Sequence, residues 1–346
     1  MVLMKTSRSF IVLLAVLCLA AVPALAAAPA TTTAVFERTI TDDYGTTVII
    51  HGEPQRIVSL APTNTEILFA LGLGDRVVGV TDYCNYPPEA LTKPKIGGFS
   101  TVSVENVVAQ KPDLVVASQG NGAELVDHLK ELNMTVIVTN PKNVDGILND
   151  ITFIGNAAGA DENATARVAS LAARINNTEK NASALVTHPK VAHIIWNEPI
   201  YGSGSGTFQD ELITMAGGRD AFADKNGYAT IGIEDFIAAD PDVLIVNSGS
   251  GMGGSENSIA QYFKNETRFS NVAAIKNHQV YVIDSSTVDR AGPRIVDALE
   301  IIAGDIQSAG STVPAGTPSQ KSPGFGTGLA LAALCAGSVV VFRRLR

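Results

Sequence analysis

The chain has 346 residues, 46% of them hydrophobic and 17% charged, with a formal net charge of −9. That length accommodates two domains of ordinary size. The acidic balance, with no basic stripe, excludes nucleic acid and anionic membrane surfaces as partners.

Residues 1–26 carry Lys5 and Arg8, then the apolar run FIVLLAVLCLAAV, then Ala24-Leu25-Ala26. A charged start, a short apolar stretch and a small-residue site predict a secretory signal peptide cut after Ala26. Cys18 lies inside the apolar stretch and not at the junction, which argues against a bacterial-type lipoprotein anchor.

A first lobe is predicted over 53–142. RIVSLA (56–61), RVVGV (76–80), DLVVAS (113–118) and TVIVT (135–139) read as strands. Between them, the stretch from Pro62 to Gly74, VSVENVVAQK and AELVDHLKELN (123–133) read as helices. Unbroken Val/Ile/Leu strands alternating with helices predict a parallel sheet covered on both faces. Residues 143–188 show two helical patterns and no strand pair. The second pattern runs from Asp161 to about Leu185, with Val168, Leu171, Ala172 and Ile175 on one face. A second lobe, 189–308, repeats the plan with strands VAHIIW (191–196), VLIVNS and QVYVID (279–284), and a closing helix RIVDALEIIAGDI (294–306). The expected fold is α/β: two Rossmann-like lobes with parallel central sheets, joined by one long helix that makes a stiff joint.

Residues 309–324 form a Ser/Thr/Pro/Gly-rich linker. Residues 325–346 begin with 18 residues that lack a charge and end with Arg343, Arg344 and Arg346. That run is just long enough to span a bilayer with its arginines in the cytoplasm. Ser322-Pro323-Gly324-Phe325 resembles archaeal Pro-Gly-Phe sorting signals, which implies removal of the tail and its replacement by a lipid. A plain C-terminal anchor is the other reading. Both tether the body outside the cell. Between the two ends only Cys84 remains, so the body can form neither an internal disulfide nor a cysteine metal cluster. Five Asn-x-Ser/Thr sequons, at Asn133, Asn163, Asn176, Asn181 and Asn265, are candidate glycosylation sites.

Enzyme signatures are missing. GSGSG (202–206) lacks the Lys-Ser/Thr of a phosphate loop, and GMGG (251–254) lacks an acidic partner. No Ser-His-Asp order is defensible. His193, on a strand, reads as a satisfied core histidine, and His51, His128, His188 and His278 as surface or loop residues. The most informative feature is a repeat: VSVENVVAQKPDLVVAS (102–118) and IGIEDFIAADPDVLIVN (231–247) share one layout. Glu105 precedes Pro112 by seven residues, as Glu234 precedes Pro241. Each glutamate favours the first turn of a short helix. Asp113 and Asp242, after those prolines, read as structural caps.

RIVSLAPTNTEILFALGLGDRVVGVTDYCNYPPEA (56–90), the first cassette and RAGPRI (290–295) together resemble the helical-backbone periplasmic binding proteins. These are the solute receptors of ABC importers for cobalamin, ferric siderophores and haem. The resemblance covers about 53–308. It implies a ligand cleft between the lobes and no catalysis, cofactor or structural metal. It also implies that Glu105 and Glu234 dock one on each half of an ABC permease. Tyr83, Phe99, Trp196, Tyr201 and Tyr228 become candidate cleft aromatics, for which core packing is the competing reading. An aromatic cleft suits a flat, largely apolar macrocycle, hence a cobalamin-like corrinoid. Arg290 is the candidate cation toward an anionic chelate, while Arg294 is assigned to the last helix. Ser118 departs from the pattern, since cobalamin receptors can carry an aromatic there.

Overall fold

The computed structural model describes residues 36–249 and 257–312. The predicted signal peptide, the sorting segment and the GMGG stretch lie outside the described residues.

The chain opens on a feature that sequence reasoning passed over, a β-hairpin of β1 (Glu37–Thr41) and β2 (Thr47–His51). Its one buried face rests on Ile40 and Ile50. The first lobe then runs β3 (Ile57–Ser59), α1 (Pro62–Ala70), β4 (Val77–Val80), α2 (Val104–Ala109), β5 (Leu114–Ser118), α3 (Ala123–Glu131) and β6 (Val136–Thr139). Its four strands are all parallel, in the order β4-β3-β5-β6. Next come α4 (Val144–Ala158) and the long α5 (Asp161–Ala182). Gly159, at φ 73°, ends α4 in the left-handed region that glycine enters without a Cβ penalty.

The second lobe comprises β7 (Lys190–Asn197), β8 (Ile200–Ser203), α6 (Phe208–Met215), β9 (Arg219–Asp220), β10 (Tyr228–Thr230), α7 (Ile233–Ala239) and β11 (Val243–Asn247). It continues with α8 (Ser258–Asn265), α9 (Ala273–Lys276), β12 (Val280–Ile283), α10 (Ser285–Val288) and α11 (Ile295–Thr312). This sheet departs from the all-parallel expectation. β7, β9, β11 and β12 are parallel, but β8 and β10 add an antiparallel edge in the order β10-β8-β7-β11-β12. Tyr201 therefore lies on a strand, with the first residues of the GSGSG stretch beside it. The glycine that looked like a loop signal has a packing role: a Cβ on Gly202 would stand 2.9 Å from the His193 carbonyl. The closing helix also runs past residue 308, because Ile306 and Ala309 stay on its buried stripe.

The cassettes are now explained as structure. Asp113 accepts the backbone N–H groups of Gln55 and Arg56 at 2.8 and 2.9 Å, fixing the start of β3 beside β5. Asp242 accepts the N–H of Lys190 at 2.8 Å, fixing the start of β7 beside β11. Two residues after each glutamate, Val107 and Phe236 are fully buried. Phe236 lies 5.0 Å from the ring centres of both Phe263 and Phe269, contacts worth roughly 0.5–1.5 kcal/mol beyond area burial. Burying that face of each short helix turns its glutamate outward.

One buried acid stands out. Asp150 of α4 is 2% exposed and faces Asp43 of the hairpin turn. Burial first, then repulsion from Asp43, pushes its carboxyl up to about 8. A raised folded-state value means that the folded protein holds a proton the unfolded chain has released above about 4. Stability from this group is therefore full at low pH and is lost as pH rises from about 4 to about 8. Asp150→Asn is expected to be nearly neutral at pH 4 and to stabilise by roughly 1–3 kcal/mol at pH 8. Urea unfolding of both proteins at the two pH values checks this; an equal effect at both would refute it.

Candidate ligand cleft

Open α/β sheets place ligands at the carboxyl ends of their strands. There, on the first lobe, Ala61, Pro62, Thr63, Tyr83, Phe99, Ser100 and Ser118 surround a hollow of about 450 Å3, closed on one side by Arg290 of the second lobe. Tyr83 is 63% exposed and free to stack. Phe99 is half-buried, and its ring lies so close over Gly120 that a Cβ there would approach to 2.5 Å. Asn121 fixes the Phe99 segment, donating from Nδ2 to the carbonyls of Leu60 and Phe99, both at 2.9 Å. Ser118 caps the turn that carries Gly120 and opens onto the hollow, so the missing aromatic leaves space there.

Trp196, Tyr201 and Tyr228 of the second lobe do not line that hollow; the antiparallel edge brings them side by side instead. Trp196 pairs with Tyr201, and Tyr228 lies two residues along from Thr230, the other partner of Tyr201. Tyr201 and Tyr228 are exposed, at 38% and 44%. Trp196 is half-buried against the apolar cluster behind the sheet, and its indole N–H donates to the Glu198 carbonyl at 3.1 Å. Part of that ring serves packing, as its competing reading allowed.

Beneath Tyr228 runs a line of polar groups that sequence reasoning missed. The Tyr228 hydroxyl is 3.0 Å from Gln209 Oε1, and Gln209 Nε2 is 2.9 Å from Asp289 Oδ1. Asp289 Oδ2 is 2.6 Å from Asn247 Nδ2, and Asn247 Oδ1 is 2.9 Å from His193 Nε2. His193 is a satisfied core histidine as expected: 1% exposed, with Nδ1 3.1 Å from the Ser203 hydroxyl. Burial drives it down to about 4, so the ring is neutral. Desolvation raises the Asp289 carboxyl to about 6, opposed by its two amide donors. The residue keeps an exposed surface, which weighs against strong desolvation, and the carboxyl is ionised at neutral pH either way.

Arg290 lines the cleft, yet its guanidinium is already engaged. It donates to Glu66 Oε1 at 3.0 Å, to Asn85 Oδ1 at 2.8 Å and to the Tyr83 carbonyl at 3.4 Å. Arg294 opens the last helix, its carbonyl accepting from the Ala298 N–H at 3.1 Å, and its side chain has a second role. It stands just before α11 and reaches across to Glu66 with two hydrogen bonds of 2.9 and 2.7 Å, stacking on Tyr86 at 4.1 Å. Glu66, on α1, therefore joins the two lobes through both arginines.

Away from the cleft, Glu105 and Glu234 are both exposed near the starts of α2 and α7. Its own backbone N–H and then the Ser103 hydroxyl, 3.1 Å away, hold the Glu105 carboxyl below its usual range. All five sequon asparagines are exposed, although the Asn163 amide donates to the Leu71 carbonyl at 2.8 Å. Among the described residues, no group of three or more His, Cys, Asp or Glu side chains could hold a metal ion. No described helix is long and apolar enough to cross a membrane.

The family model described as periplasmic binding protein matches residues 57–287. An uncharacterised ABC transporter substrate-binding lipoprotein of Bacillus subtilis is 33% identical over 281 residues, covering 79% of this chain and 87% of its own. The vitamin B12-binding protein of Vibrio cholerae is 28% identical over 249 residues, covering 71% and 87%. Among solved structures, the V. cholerae periplasmic vitamin B12-binding protein superposes with a TM-score of 0.64 at 26% identity, over 74% of this chain and 98% of that one. The periplasmic heme-binding protein of Roseiflexus sp. RS-1 gives 0.67 at 28% identity, over 74% and 99%.

Proposed function

The chain belongs to the periplasmic binding protein family, and from that premise we propose that it captures a cobalamin-like corrinoid between its lobes and delivers it to an ABC permease. One observation carries the choice of ligand: the hollow is edged by the exposed ring of Tyr83 and the half-buried ring of Phe99, while its one arginine is tied to Glu66. Aromatic faces gain by stacking on a flat macrocycle. An arginine already paired has little to offer an anionic chelate. Haem and ferric siderophores are the competing ligands, and the Roseiflexus neighbour is described as heme-binding. His193, sealed by two hydrogen bonds, is not available as an axial ligand.

Three further roles belong to this reading. Glu105 and Glu234 would meet basic residues on two halves of the permease. The C-terminal segment would tether the protein to the outer face of the membrane, whether kept or exchanged for a lipid. Exposed sequons would carry glycans, with Asn163 the least available because of its Leu71 bond.

The test is calorimetry of the purified protein with cyanocobalamin, haemin and ferric desferrioxamine B. Binding of the corrinoid at micromolar or tighter Kd is expected. Tyr83→Ala and Tyr201→Ala should each weaken it by about ten-fold, the loss of one stacking face. Heat with haemin or the ferric chelate and none with the corrinoid would overturn the choice.

A further inference from the structure

The hydrogen-bond line behind Tyr228 can run in one direction only. An ionised carboxylate has no proton to give, so Gln209 Nε2 and Asn247 Nδ2 both donate to Asp289. The Val288 carbonyl, 3.1 Å from Gln209 Nε2, fixes the same end of that amide as donor. Gln209 Oε1 therefore accepts, and Tyr228 donates its phenolic proton to it. By the same step Asn247 Oδ1 accepts from His193 Nε2, and His193 Nδ1 accepts from the Ser203 hydroxyl. Every proton in the line points toward Asp289.

Two properties of the wall follow. Tyr228 is 44% exposed, and with its proton directed inward its oxygen offers lone pairs outward. Asp289 is exposed too, and its hydrogen-bond partners are neutral amides. The neighbouring Arg290 is turned to Glu66, Asn85 and the Tyr83 carbonyl. Neighbouring acceptors and an unneutralised negative charge thus lie exposed on the second lobe, next in sequence to the cleft residue Arg290.

We propose that this wall, built on Asp289 and Tyr228, selects ligands by their hydrogen-bond donors: it takes a rim of carboxamide or ammonium N–H groups and rejects one that presents carboxylates. A site built to accept from N–H groups discriminates, because a ligand without them covers these acceptors and takes them from water unpaired, and a carboxylate adds repulsion. The corrinoid reading supplies the ligand named in the first arm of the test. The donor preference itself stands apart from that reading.

The first arm compares cyanocobalamin with its derivatives in which one peripheral carboxamide is hydrolysed to a carboxylate, by calorimetry on the full chain. At least one carboxylate form is expected to bind ten-fold or more weakly. Asp289→Asn and Tyr228→Phe should each narrow that gap to within about three-fold, Asp289→Asn by also making the wall a donor. The two substitutions are independent, so a folding failure in one, seen by circular dichroism, leaves the other as the test. The second arm compares ferric desferrioxamine B, which carries amide and ammonium N–H groups, with ferric citrate. If no corrinoid binds but the desferrioxamine complex is preferred and the preference narrows in the variants, the corrinoid reading falls and the selective wall stands. If corrinoids bind with no gap, or with a gap that neither variant changes, the wall is overturned and the corrinoid reading stands. If neither arm shows binding, both fall.

Discussion

Glu66→Ala is expected to lower the stability of the ligand-free protein by about 3–5 kcal/mol, the usual loss when one partner of a buried ion pair is removed. The Glu66 side chain is 2% exposed, and the side chains of Arg290 and Arg294 are 17% and 16% exposed. One carboxylate thus answers two guanidinium groups that reach it from the other lobe, 224 and 228 residues away in sequence. Alanine would strand both. Arg294 retains its Thr287 and Ser286 contacts and its Tyr86 stack, whereas Arg290 keeps only Asn85 and the Tyr83 carbonyl. Glu66→Gln, which preserves an acceptor, should lose less than half as much. Urea unfolding at pH 7 reads the difference, and a loss below about 1 kcal/mol for Glu66→Ala would show the clasp to be incidental. Ligand affinity should fall as well, because Arg290, which lines the hollow, would swing free and the lobe spacing would lose this clasp.

Legibility in the sequence followed sequence distance. The central parallel strands were readable because they are short Val/Ile/Leu runs buried on both faces, as in Leu114–Ala117 and Val243–Val246, whereas the two-residue β9, Arg219–Asp220, carries no such run. The edge strands were not. IYGS and YAT bury one face of a few residues, and Gly202 is there for backbone clearance, so the composition imitates a loop. The hairpin had a turn signal in Asp42-Asp43-Tyr44-Gly45, but only Ile40 and Ile50 mark its inner face. Glu66 gave no signal, since its partners are set by the docking of one lobe on the other and by no local period. The cleft residues were partly readable: Tyr83, Phe99 and Arg290 meet around one hollow, while the packing of Trp196 turned on a register shift between Ile194 and Trp196. Asp289 and Gln209 were invisible because their roles depend on hydrogen bonds between three separate strands and helices.

Reversing the charge of both rim glutamates, Glu105→Lys with Glu234→Lys, is expected to reduce ligand uptake by about a hundred-fold or more while leaving ligand affinity unchanged. Both side chains are exposed and neither contacts the cleft, so calorimetry on the double variant should match the parent. Like charges set against each other at an interface cost several kcal/mol, which suffices for that loss. The two helices also match beyond the glutamate. Three residues on, where a helix returns to the same face, Val108 and Ile237 are exposed at 44% and 39%. Each rim thus presents a carboxylate beside an exposed aliphatic, in two copies, a pattern that first-turn helix stabilisation does not require. A partner with two similar halves would read both copies at once, so single reversals should each lose about ten-fold and the double their product. Uptake measured in cells carrying the cognate permease, with the parent and all three variants at equal surface levels, decides it. Unchanged uptake in the double variant would leave Glu105 and Glu234 as helix-start residues only.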